Sequence, residues 1–121
     1  MPRYVEFQSC CALVKWWCFY SRINKIHEGL LFHCPNQSVG GARHGRNLKL
    51  MGVRSGTPDY VLAIARGGWH GMFMEMKSPD GRLRPEQKEM GEKLAEQGYK
   101  VVVCRSADEA RREIEGYVGA K

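Results

Sequence analysis

Three charged residues fall where a β-sheet should resist them. Asp59 opens the run DYVLAI, and Glu75 and Lys77 stand two apart in FMEMKS, residues 73–78. Side chains alternate across a strand, so Glu75 and Lys77 share a face with Phe73, while Met72, Met74 and Met76 take the other. Ionised groups in such a place cost roughly several kcal/mol unless they are paired or bound to a cation. Two carboxylates with nearby backbone carbonyls make a hard oxygen site suited to Mg²⁺ or Mn²⁺. An ion there could hold a phosphate oxygen and lower the pKa of a bound water. Lys77 could position that water or stabilise charge at phosphorus. The same residues also fit a plainer reading, in which Glu75 and Lys77 pair at a solvated strand end and Asp59 is a turn residue after Pro58.

The charge around the trio points toward a polymeric anion. The chain has 121 residues with 19 basic and 13 acidic, a net charge of +6. From Gly29 to Pro58 there is no Asp or Glu, yet the stretch carries Arg43, Arg46, Lys49 and Arg54 with His33 and His44. A basic, acid-free segment suits phosphate binding, as it also suits a solvated loop. No histidine has metal-ligand spacing. The five cysteines are odd in number and form no CxxC pair. Three of them lie in one helical stretch, where they read as small apolar residues and not as zinc ligands. No segment has the length of apolar sequence that a membrane span needs, and MPRYVEFQ lacks a signal-peptide core, which places the chain in the host cytosol.

The length suits one domain, 1–121. Residues 3–28 lack Gly and Pro and predict one long helix, apolar nearly all round, that is buried or packs on another subunit. Trp16, Trp17 and Phe19 read there as core or dimer interface in preference to base-stacking groups. LLFHC is a short strand, PNQSVGGARHG a Gly-rich loop, and Ala42 to Met51 a possible short helix. Strands follow from Asp59 to Ile64 and from Trp69 to Lys77, joined by a tight turn at Arg66-Gly67-Gly68. Pro85 starts a helix running to about Gln97. YKVVVC has no alternation and reads as a strand covered on both faces. Ser106 caps a last helix, with Glu109 completing a capping box. The order gives an α/β mixed sheet flanked by helices, with a parallel pair across the crossover after Lys77. Gln87 falls on the inward face near its helix start and Glu6 at the head of the apolar face of the first helix. Both also fit structural roles, Gln87 satisfying loop carbonyls and Glu6 favouring the helix dipole.

Pro58-Asp59 followed by Glu75-Met76-Lys77 resembles the PD-(D/E)xK nuclease signature. GVRSGTPDYVLAI, GMFMEMKSPDGRLRPEQ and GYKVVVCRSADEA, in that order, resemble the VRR-NUC (virus-type replication-repair nuclease) family, over roughly residues 4–118. The resemblance implies a restriction-endonuclease-like core. It implies Asp59 and Glu75 as metal ligands, Met76 as the residue whose carbonyl completes the metal shell, and Lys77 as the catalytic lysine. It also matches Gln87 to the family's PEQ glutamine, Glu6 to the acid of its first helix, and Pro35-Asn36 to a further element of no evident chemistry. Small stand-alone members, phage and bacterial, act as homodimers and resemble Holliday junction resolvases.

The expectation is therefore a Mg²⁺- or Mn²⁺-dependent, structure-selective DNA endonuclease acting on branched DNA as a homodimer, with no small-molecule cofactor and no membrane partner. Arg43, Arg46, Lys49, Arg54, Arg82 and Arg84 would grip the backbone and read shape over sequence. Two other readings keep the sequence pattern. One is a catalytically silent DNA-binding module or subunit, against which the intact Asp59, Glu75 and Lys77 argue. The other is a hydrolase of small phosphates, which the breadth of the basic stretch disfavours.

Overall fold

The computed structural model describes residues 2–35 and 42–120. Asn36 and the loop to Gly41 lie outside the described residues, as does the side chain of His44.

Helix α1 spans Pro2–Ile23 and ends earlier than the absence of Gly and Pro predicts. Lys25 takes a left-handed conformation (φ 57°). The Ile26 N–H then reaches the Ser21 carbonyl (2.8 Å) and the Lys25 N–H that of Arg22 (3.2 Å), closing a Schellman motif. A lysine occupies the place that glycine usually fills, so composition gave no stop signal. His27 does not extend α1; its Nδ1 accepts the Gly29 N–H and caps a short 3-10 turn, Glu28–Leu30.

The sheet has the order β1-β2-β3-β4, from Leu31–His33, Tyr60–Leu62, Met72–Met76 and Lys100–Cys104. The first two pairings are antiparallel, and β3 and β4 run parallel across the helical crossover α3 (Pro85–Glu96). Helix α2 (Ala42–Leu50) precedes β2 and helix α4 (Ala107–Val118) closes the chain. Beyond β2 and β3 the chain continues as a ladder to a two-residue turn. Arg66 and Trp69 exchange backbone bonds, and Gly67 and Gly68 supply the positive φ values (58° and 85°) that such a turn requires.

The methionine row decides the layering. Met72, Met74 and Met76 are buried with Leu13 and Trp17 of α1 and Ala110, Ile114 and Tyr117 of α4. Each buried side chain of this size stabilises by about 1.5–3 kcal/mol. The Trp17 indole donates to the Glu28 carbonyl (2.7 Å) and the Tyr117 hydroxyl to that of Ile64 (2.6 Å), so both aromatic anchors bring their polar tips inside satisfied. Helix α3 covers the other face. A Cβ on its Gly91 would stand 3.4 Å from Val101, which pairs with Phe73. The architecture is thus helix layer, mixed sheet, helix layer, with the long N-terminal helix in one outer layer.

Strand β4 departs from expectation. Only Cys104 in it is buried, and residues 100–103 are half-buried. Its apolar run reflects contact with α3 and α4 on its two faces, but an edge strand keeps one flank open to solvent. At the start of α4, Ser106 accepts the Glu109 N–H (3.1 Å), while the Glu109 carboxylate turns to the backbone N–H of Arg105 instead of that of Ser106.

Candidate active site

The open end of the β2–β3 hairpin gathers the charged residues. Asp59, preceding β2, accepts the backbone N–H of Met76 on its Oδ2 (2.7 Å). In a strand the N–H and C=O of one residue leave on the same side, so the Met76 carbonyl also opens toward Asp59. Lys77 turns its own N–H the other way, to the Cys104 carbonyl (2.9 Å). This alternation places two carboxyl groups and one carbonyl at a common edge.

Glu75 is buried at 5% exposure. Burial first, then the adjacent Asp59 carboxylate, pushes its pKa up to about 8, with the Asp59 carboxyl also hydrogen-bonded to it and Lys77 and Arg84 pulling the other way. The Gln87 amide is fixed at both ends: Nε2 donates to Glu75 Oε1 (2.9 Å) and Oε1 accepts the Arg84 N–H (2.8 Å). Gln87 sits at the third position of α3, after Pro85 at the first, so its side chain closes the helix start while its amide faces the sheet.

The segment before Asp59 is held against that helix start. Gly56 (φ 88°) is buried so closely that a Cβ there would lie 2.4 Å from the Glu86 carbonyl oxygen. Pro58 is also buried. The approach of Asp59 to Glu75 therefore rests on a glycine contact as well as on strand register.

Lys77 is half-exposed and followed by a turn in which the Gly81 N–H bonds the Ser78 carbonyl (3.0 Å). A Cβ on Gly81 would stand 3.4 Å from Lys77 Cδ. Arg105 Nη1 donates to the carbonyls of Ser78 (3.0 Å) and Gly81, tying this turn to the end of β4. Sequence reasoning missed Arg105. A signal was present: a cation just before an N-cap opposes the helix dipole, and a misplaced charge calls for a partner.

Glu6 is half-buried in α1, one turn before Cys10. Burial chiefly raises the Cys10 pKa, and the carboxylates of Asp59 and Glu6 both add to it, so one thiol faces both acids while bonding the Tyr60 side chain. No direct contact joins Glu6 to Asp59 or Glu75 among the described hydrogen bonds. Arg43, Arg46, Lys49, Arg54, Arg82 and Arg84 are all exposed. Of these, Arg84 lowers the Glu75 pKa by its charge, and it also stands 3.9 Å from Glu86.

Among the described residues no three His, Cys, Asp or Glu side chains converge on one point. The donors at the edge are two carboxyls and a carbonyl. A carboxyl held protonated first by burial and then by a neighbouring acid is what a divalent cation would relieve, so this donor set fits a hard ion.

The chain matches the VRR-NUC domain over residues 8–108. It belongs to the VRR-NUC family. A solved structure described as a "VRR_NUC domain protein" is similar at 29% identity, covering 94% of this chain and 88% of that one, with a TM-score of 0.78. No curated protein matches. The VRR-NUC assignment makes the chain a nuclease-type domain with a PD-(D/E)xK fold, whose natural substrate class is DNA and whose family generally uses divalent metals. No helix among the described residues is long and apolar enough to cross a membrane.

Proposed function

We propose that this VRR-NUC domain, spanning 1–121, is a Mg²⁺- or Mn²⁺-dependent endonuclease that cuts branched DNA, as a homodimer resolving four-way junctions in the host cytosol. The carboxyl pair Asp59–Glu75 carries the reading: a buried acid kept at about pKa 8 beside a second acid is costly for stability and useful for holding a cation. Asp59, Glu75 and the Met76 carbonyl would hold the ion, with Glu6 as a further ligand; when bound it would polarise a phosphate oxygen and acidify water.

The chain's own groups do the rest. Gln87 keeps the Glu75 carboxylate oriented by donating to it. Lys77 sits on the face of Glu75 and presents its ammonium group to the attacking water and to charge developing on phosphorus. Arg84, and with it Arg82 on the same loop, neutralises the phosphates flanking the scissile bond. Arg43, Arg46, Lys49 and Arg54 hold the backbone farther out, a contact set that reads shape and not bases. Dimerisation is supported by α1, where Phe7, Cys11 and Val14 lie one helical turn apart along an exposed apolar stripe.

The test is incubation of the purified protein with a labelled four-way junction, a flap and plain duplex, with Mn²⁺, Mg²⁺ or EDTA, beside Lys77→Ala. Metal-dependent cutting of the junction that the variant lacks is expected. Cutting that persists in EDTA or in the variant would overturn the mechanism. Binding without any cutting would favour a DNA-binding subunit.

A further inference from the structure

Helix α2 carries more than cations. Of its described side chains none is fully buried, and only Gly45 and Leu48 turn inward enough to be half-buried. At 100° per residue the opposite stripe holds Arg43, Arg46, Asn47 and Leu50. Leu50 is thus an apolar residue on the most solvent-facing line of a basic helix. It is 86% exposed, and Met51 beside it is 80% exposed. Gly52 (φ 102°) then turns the chain, and Val53 N–H bonds back to the Leu48 carbonyl, so the Leu50-Met51 pair stands at a blunt, defined tip.

A helix of nine residues with so little burial draws its stability from what it docks on. The surrounding charge chooses the occupant. Arg43, Arg46, Lys49 and Arg54 are exposed, and the whole segment from Gly29 to Pro58 lacks an acid. An apolar tip ringed by cations complements a polyanion that offers an apolar interior, which is the base stack of nucleic acid. Reach agrees. From Met51 to Asp59 the chain spans at most about 28 Å at full extension, less than one turn of duplex at ~34 Å. The tip therefore lies within one duplex turn of the carboxyl edge.

We propose that Leu50 and Met51 form an apolar wedge that enters the base stack of DNA where a branch has already loosened it. The inference rests on the nuclease reading above and names what would make that nuclease prefer branched substrates. Leu and Met are residue types that part base steps, and opening a step is cheapest where pairing is already interrupted.

The experiment places 2-aminopurine at the branch point of a four-way junction and, separately, within plain duplex, with EDTA present. Wild-type protein should raise the junction fluorescence and not that of the duplex. Leu50→Ala with Met51→Ala should lose that rise and lower the junction-over-duplex affinity ratio about tenfold, whereas Leu50→Phe should keep both. An equal rise, or an unchanged ratio, in the double alanine variant overturns the wedge. So does a double variant that changes sedimentation while keeping the fluorescence signal, because the tip would then serve contact between copies. Junction cutting by the wild type in Mn²⁺ is scored in parallel. Cutting with an unchanged ratio in the double variant removes the wedge and leaves the nuclease. The wedge signature without cutting removes the nuclease and leaves the wedge.

Discussion

The Glu75 carboxyl keeps its proton to about pH 8 because burial and then the Asp59 anion disfavour its ionised form. An unfolded glutamate titrates near ~4.3. Between those values the folded chain binds the extra proton, so stability falls as pH rises from the lower pKa through the upper. The melting temperature of metal-free protein should therefore drop between roughly pH 5 and pH 8, and Glu75→Gln should flatten that drop in a thermal scan series. Added Mn²⁺ should raise the melting temperature most at the alkaline end, where it no longer competes with the proton. Lys77→Ala should lower the cleavage rate by roughly a hundredfold or more while junction binding in EDTA persists, as read by gel shift. The meeting of Asp59, Glu75 and Gln87 at one edge is legible in the sequence because each breaks a pattern: a charge at or in a strand, or an amide on an inward helix face. Arg105 offers only the faint signal of a cation before an N-cap, and its partners are two backbone carbonyls that no residue type announces.

Elements were legible where period and punctuation agreed. Strands β2 and β3, the glycine turn between them and Pro85 at the start of α3 all follow from alternation and turn chemistry. The end of α1 was not legible, since Lys25 adopts a conformation that its side chain does not advertise. The exposure of β4 was hidden for another reason: an edge position is a property of the whole sheet. Two predictions belong to this scale. Gly56→Ala combines a positive φ with a Cβ at 2.4 Å from the Glu86 carbonyl. It should cost about 1–3 kcal/mol, a melting loss of several degrees, and should separate the Asp59 segment from Gln87. Arg105→Ala frees the turn that backs the Lys77 stem and should lower kcat on the order of tenfold with KM little changed, the split expected when a reacting group is misplaced and substrate binding is kept.

At the scale of the molecule, Leu13 and Trp17 anchor α1 to the sheet, while Phe7 with Val14 on one flank and Phe19 with Ile23 on the other remain exposed. Sequence showed an all-round apolar helix; only the packed core separates the residues it buries from those it leaves exposed, the surface on which the proposed dimer depends. Phe7→Lys with Val14→Lys should yield a monomer by sedimentation at micromolar concentration and turn paired cuts in a junction into single nicks; a wild-type monomer would remove the paired-cut picture. The hairpin described above has a further consequence, in time. Asp59, just before β2, and Glu75, in β3, flank a hairpin closed by a two-residue turn at Gly67-Gly68, so chain closure that unites them is local. Such closures take about 1–10 μs, whereas α1 and α4 reach the sheet from opposite ends of the sequence. The two acids would meet on the hairpin's clock, ahead of the helices that bury the methionine face behind them.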